Sequence, residues 1–142
     1  MKYLKINFII LIFVILMLFC CGCISDQQIK SHMSSQGYSV KDIATGEGIF
    51  ENHASMYIDV RSLNGEGDLW IAAIKGIQAL YEKYPDYDYY NVIFEYPSSD
   101  EYRRVFWGPE DTYLRHEYSN SESSRISVVK ITNILEYDDF SK

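Results

Sequence analysis

The sequence predicts an α+β fold: an antiparallel sheet of about five strands with one main helix, at about residues 68–84, packed on one face. Three observations carry this expectation. One stretch repeats its apolar residues with the period of a helix. Several stretches alternate apolar and polar residues with the period of a strand. The connections between those strands are short, as hairpins require, and such a pattern reads as helix on antiparallel sheet.

The chain opens with Lys2 and Lys5, followed by a charge-free and almost wholly apolar run from Phe8 to Ile24. A positive segment ahead of such a run is the pattern of an export signal, with the lysines kept on the cytoplasmic side. The run closes on Phe19-Cys20-Cys21-Gly22-Cys23, and polar residues begin at Ser25. This stretch resembles the signal peptide and lipobox of prokaryotic membrane lipoproteins, bacterial or archaeal, with Cys20 where leucine is usual. The resemblance implies cleavage between Gly22 and Cys23 and a lipid on Cys23. It also implies a domain held at the cell membrane on its extracytoplasmic side. It covers the first two dozen residues, and the rest of the chain resembles no family. The alternative is an uncleaved transmembrane anchor, since the 17 residues of Phe8 to Ile24 lie at the short edge of a membrane span.

All three cysteines, Cys20, Cys21 and Cys23, fall in this cluster. The exported part therefore has no pair for a disulfide and folds on its core alone. A redox or zinc reading of Cys20 to Cys23 fails, because two of the three leave with the leader and no second pair follows. The organisation read from the sequence is a signal peptide over 1–22, a polar tether over 23–37 and one domain over 38–142. Without Lys2 and Lys5 the chain has 11 basic residues against 20 acidic ones, a net charge of −9. So acidic a body disfavours nucleic acid and anionic lipid surfaces as partners.

From Ser25 to Gly37 the residues are polar and Ser/Gln-rich, and they read as a coil with a reach of about 20 Å. Tyr38 to Thr45 is a weak strand. Met56, Ile58 and Val60 alternate with Tyr57, Asp59 and Arg61, the pattern of a half-buried strand. After the flexible Asn64-Gly65-Glu66-Gly67, Asp68 is suited to cap a helix. Trp70, Ala73, Ile74, Ile77, Leu80, Tyr81 and Tyr84 then share one helical face. Pro85 stops that helix. Gly76 inside it costs about 1 kcal/mol relative to alanine, which points to a close approach by a neighbour.

Tyr90, Val92, Phe94 and Tyr96 alternate with Asn91, Ile93 and Glu95 as a second strand. Pro97-Ser98-Ser99-Asp100 is a turn, and Tyr102 to Trp107 returns as its hairpin partner. Pro at a first helical position with acids beside it suggests that Gly108-Pro109-Glu110-Asp111 opens a short helix over about 109–118. Ile126 to Leu135 is a further β-branched strand. Tyr57, Asp59, Arg61, Ile93 and Glu95 are expected on a wet sheet face. Arg103 and Arg104 point to opposite faces, and one of them is expected to pair with Glu95.

Sites are sparse. Asp86 and Asp88, with Asn91, offer oxygens at a spacing that suits Ca²⁺, but the glycine and closing glutamate of an EF-hand loop are missing. Solvated acids in a loop are the plainer reading. His32, His53 and His116 have no metal-binding spacing, and a hydrolase would have to bring His53 or His116 to an acid such as Asp59. No nucleophile elbow, free thiol or phosphate loop is present. The Gly-x-Gly pairs at Gly46 and Gly65 read as turns. Tyrosine is the compositional oddity, 13 in all, and Tyr87 and Trp107 are the candidate binding aromatics. The expectation is a membrane-anchored, non-catalytic binding or accessory module for a protein or small ligand, with no cofactor. The alternatives are a small extracytoplasmic hydrolase and a calcium-stabilised module.

Overall fold

A computed structural model of the protein describes residues 24–49, 51–131 and 133–136. The leader and Cys23 lie outside the described residues. The order is α1 (Asp26–Ser35), β1 (Val40–Glu47), β2 (Asn52–Asp59), α2 (Glu66–Lys83), β3 (Tyr89–Glu95), β4 (Tyr102–Trp107), β5 (Tyr113–Ser119) and β6 (Ser124–Lys130). Short 3-10 turns follow β2 at Val60–Ser62 and close the described chain at Ile134–Glu136. The fold is α+β, with six strands in one sheet in sequence order.

The sheet is mixed rather than antiparallel. β2 and β3 run parallel, Met56 beside Val92 and Ile58 beside Phe94, and every other neighbouring pair is antiparallel. The reason lies in the connection. Parallel strands need a crossover, and α2 carries the chain back to the end of the sheet from which β2 started. The main helix begins two residues before Asp68, with Gly65 at its cap and at φ +115°. Asp68 sits at the third helical position and reaches back, accepting from the Asn64 N–H and the Tyr38 hydroxyl at 2.8 Å each.

Gly76 is where the sequence expected a close approach. A Cβ there would lie 2.7 Å from Val92 Cγ2 and 3.1 Å from Met56 Sδ. The helix thus rests on β2 and β3 with no side chain between at this point. Beneath it, Met56, Ile58, Tyr90, Val92, Phe94 and Val105 are buried and join Leu69, Ala73, Ile77 and Leu80 in a single core.

The expected coil after Cys23 is the helix α1. Ser25 and Gln28 form a reciprocal capping box, at 3.2 Å and 2.7 Å. Ile29 and Met33, four residues apart and so on one face, are buried at 3% and 0% exposure. Gly37, at φ +93°, ends the helix: its N–H donates to Ser34 and the Tyr38 N–H to Met33, a Schellman closure. Asp26 pairs with Lys83 of α2. Residues 24–37 therefore belong to the domain, not to a tether.

The expected helix over 109–118 is a tight turn followed by β5. Leu114 and His116 turn inward and Arg115 and Glu117 outward, the alternation of a strand. The last strand stops at Lys130. Ile131 still bonds Thr112, but Ile134 leaves the sheet and packs beside α2, where Gln78 donates to its carbonyl at 2.7 Å. Glu95 pairs with Lys41 rather than with the arginine doublet. Arg103 pairs with Glu66 and Arg104 with Glu117, on opposite faces.

Candidate binding site on the open face of the sheet

The helices occupy one face of the sheet. Register places two rows across the other: Ser55, Asn91, Phe106, Arg115 and Val128, then Tyr57, Ile93, Arg104, Glu117 and Ile126. Cross-strand neighbours of this kind touch. Arg104 and Arg115 lie over the Phe106 ring at 4.7 and 5.7 Å, so one phenyl face meets two guanidinium groups. Arg104 bonds Glu117 at 2.6 Å, and Arg115 is 3.6 Å from Asp111. Asn91 donates to Ser55 at 3.2 Å. Among the described residues, Asn91 Oδ1 and Arg104 Nε are buried without a partner. Buried polar atoms ordinarily find one.

Three residues of these rows floor a cleft of about 330 Å³. Phe106, Arg104 and Arg115 form its base, and Tyr89, Glu51, Asp88 and Asp111 its rim. The rim is held by local structure. Asp88 accepts from the Asn52 N–H at 2.6 Å and returns its own N–H to the Asn52 carbonyl. The turn after β4 closes from Asp111 N–H to Gly108, and the Trp107 indole donates to the Asp111 carbonyl at 3.1 Å. Tyr89 stacks on His53 at 5.2 Å. The His53 ring in turn lies over Gly46, where a Cβ would come within 2.2 Å of it. The cleft holds both charge signs and an aromatic floor.

Neither candidate aromatic lines this cleft. Trp107 is a core residue at 5% exposure, stacked with Tyr90 and edge-on to Tyr81. Tyr87 is half-buried, stacks on Tyr84, and lines an adjoining cleft of about 460 Å³. Asp86 and Asp88 share that second cleft with Glu110 and Asp111. Among the described residues, no three of His, Cys, Asp or Glu are grouped so as to hold a metal ion.

The residues of the hydrolase alternative are not brought together. His53 is the second residue of β2 and Asp59 the last, six residues apart, or about 20 Å along a strand. Asp59 is engaged by Arg61, whose guanidinium and backbone N–H hold its carboxyl well below the usual carboxylate range. His116 lies on the helix side of β5, edge-on to Trp70. Burial, and then the Arg103 charge, push its pKa down. His32, on α1, bonds Gln36 at 2.7 Å.

Phe106, Arg115, Tyr89 and Glu51 are not marked as site residues by the sequence, and Arg104 stands out there only as half of a basic doublet. The signal was present in part. Strand alternation from Tyr113 to Ser119 puts Arg115 on the face of Phe106 once β4 and β5 are taken as a hairpin. Reading that stretch as a helix conceals the pairing. Among the described residues, no helix is long and apolar enough to cross a membrane. Comparison with protein-family models, with curated proteins and with solved structures returned no match to this chain.

Proposed function

We propose that this protein is an exported, membrane-anchored, non-catalytic module that binds a small zwitterion, such as a free amino acid or a short peptide, in the cleft over Phe106. One observation carries the reading: two guanidinium groups and a phenyl ring on the floor face carboxylates on the rim within one cleft. Arg115 suits a carboxylate, because its planar fork bonds both oxygens at once. Glu51 and Asp88 suit an ammonium group, and Phe106 suits an aliphatic or aromatic side chain. The separation of His53 and His116 from Asp59 favours binding over hydrolysis. The export pattern of Lys2, Lys5 and the run to Cys23 supports anchoring, by lipid on Cys23 or by the uncleaved span.

The test is calorimetry and thermal unfolding of the full chain in detergent. The panel is free amino acids, short peptides, their end-blocked forms, sugars, calcium and EDTA. A zwitterion at a hundredfold over its Kd should stabilise the fold by about 2.7 kcal/mol. Blocking either end should remove the effect, and so should Arg115→Gln. Equal responses to sugars, or none to any zwitterion, would reject the ligand class. Mass spectrometry of the membrane-extracted chain tests the anchor. Loss of 22 residues with added lipid mass is expected, and an intact leader would identify the transmembrane form.

A further inference from the structure

The two edges of the sheet are finished differently. β1 is guarded: its register slips between Val40 and Asp42, and Lys30 of α1 donates to the Lys41 carbonyl at 3.1 Å and pairs with Asp42. Such slips and charges are how sheet edges are kept from pairing. β6 has no slip in its register, and among the described residues no helix covers it. All seven of its residues are exposed, with Ile126 at 64%, Val128 at 59% and Val129 at 45%.

Its backbone polarity follows from the ladder. Ile131 N–H donates to Thr112 and Asn120 N–H to Ser123, at 2.9 Å each, so odd-numbered positions of β6 bond β5. Ser124, Ile126, Val128 and Lys130 turn their N–H and C=O groups to the open edge. The side chains of Ile126 and Val128 stand on the open face.

We propose that β6 pairs with β6 of a second copy of this chain, antiparallel, about a two-fold axis at Ser127. This register is self-complementary on every count available. It pairs all seven residues. It sets outward-facing positions against each other, Ile126 against Val128 and Ser124 against Lys130, each exchanging two hydrogen bonds. The four β-branched side chains form one apolar row across the junction. The two positive charges of the strand never face each other: Arg125 meets Val129 and Lys130 meets Ser124. Lys130 also arrives at the end of the other copy's β5–β6 hairpin, which carries the exposed Glu122. A two-fold interface of this kind closes on itself and leaves only the guarded β1 edges outside.

The test is cross-linking of the full chain in membranes, with Cys20 and Cys21 changed to Ser, Cys23 kept as the anchor residue, and the same chain without a new cysteine as the control. Opposed residues at the axis stand about 4.5 Å apart by Cα, within disulfide reach. Ser127→Cys should give a covalent dimer under mild oxidation. Arg125→Cys and Val129→Cys should each fail alone and should join when mixed. Val128→Pro removes an N–H that faces the open edge, so it spares the β5–β6 ladder. Added to Ser127→Cys, it should abolish the dimer while cooperative unfolding is retained. A Ser127→Cys thiol that alkylates readily but never cross-links would overturn the proposal. So would cross-linking of Arg125→Cys to itself, or capture of a different protein in place of a second copy.

Discussion

Beneath α1 and α2 the sheet presents Met56, Ile58, Tyr90, Val92, Phe94 and Val105, each at 1% exposure or less. One residue along, the same strands present Ser55, Tyr57, Asp59, Asn91, Ile93 and Arg104 on the open face. Burying an aliphatic or aromatic side chain contributes about 1.5–3 kcal/mol, so the covered face holds the fold together. A partly buried ion pair such as Arg104–Glu117 roughly breaks even against its desolvation. The open face therefore adds little to stability, which leaves its charged pattern free for the binding role proposed above.

Substitutions can break this contrast. Phe94→Ala, at the centre of the covered face, should cost about 3–5 kcal/mol in denaturant unfolding, by lost transfer energy and the cavity left behind. A loss below about 1 kcal/mol would mean that the helix layer is not what stabilises the sheet. Met33→Ala should cost about 2 kcal/mol or more, because α1 is part of that layer. If residues 24–37 were only a leash, the variant would unfold like the parent.

A smaller effect is a pH dependence that belongs to the covered face. His116 has its pKa lowered by burial, and its Nε2 is buried without a partner among the described residues. The unfolded chain therefore binds the proton more readily than the folded one. Stability should be full above about pH 6.5, the ordinary histidine value, and decline as pH falls below it. In His116→Phe the Tm should change less between pH 7 and pH 5. On the open face, replacing Arg104 and Glu117 together by Met and Leu should move stability by less than about 1 kcal/mol. Arg115→Gln should move it by about 0.5 kcal/mol or less while removing ligand binding. A large loss from either would show the open face to be structural after all.

The contrast also explains what could be read in the sequence. The apolar residues of α2, β2, β3 and β4 recur on a regular period, and that period is visible without a structure. Gly76 was legible because a glycine inside a helix needs a reason. α1 was not, since only Ile29 and Met33 of its ten residues are buried, although Ser25-x-x-Gln28 and Gly37 marked its two ends. The parallel pairing of β2 and β3 is implied by strand–helix–strand order, since a helix between two neighbouring strands makes a crossover and not a hairpin. β5 was obscured by Pro109 and its acids, which serve a turn as readily as a helix start. The cleft depends on cross-strand register, which no single strand carries. Its residues come from β3, β4, β5 and three loops, so an error in β5 alone is enough to lose it.

The capping box of α1 also sets how far the body can travel. If Cys23 carries lipid, only Ile24 and Ser25 separate it from the first helical residue, Asp26, and Ile24 already packs against the core. Three extended residues span about 10 Å. The domain would then ride on the bilayer like a float on a short mooring, with its neighbours confined to the same two-dimensional layer and little freedom to tumble. Capture of a ligand would depend on what diffuses along the membrane surface, and encounters between copies would be governed by lateral density rather than by bulk concentration.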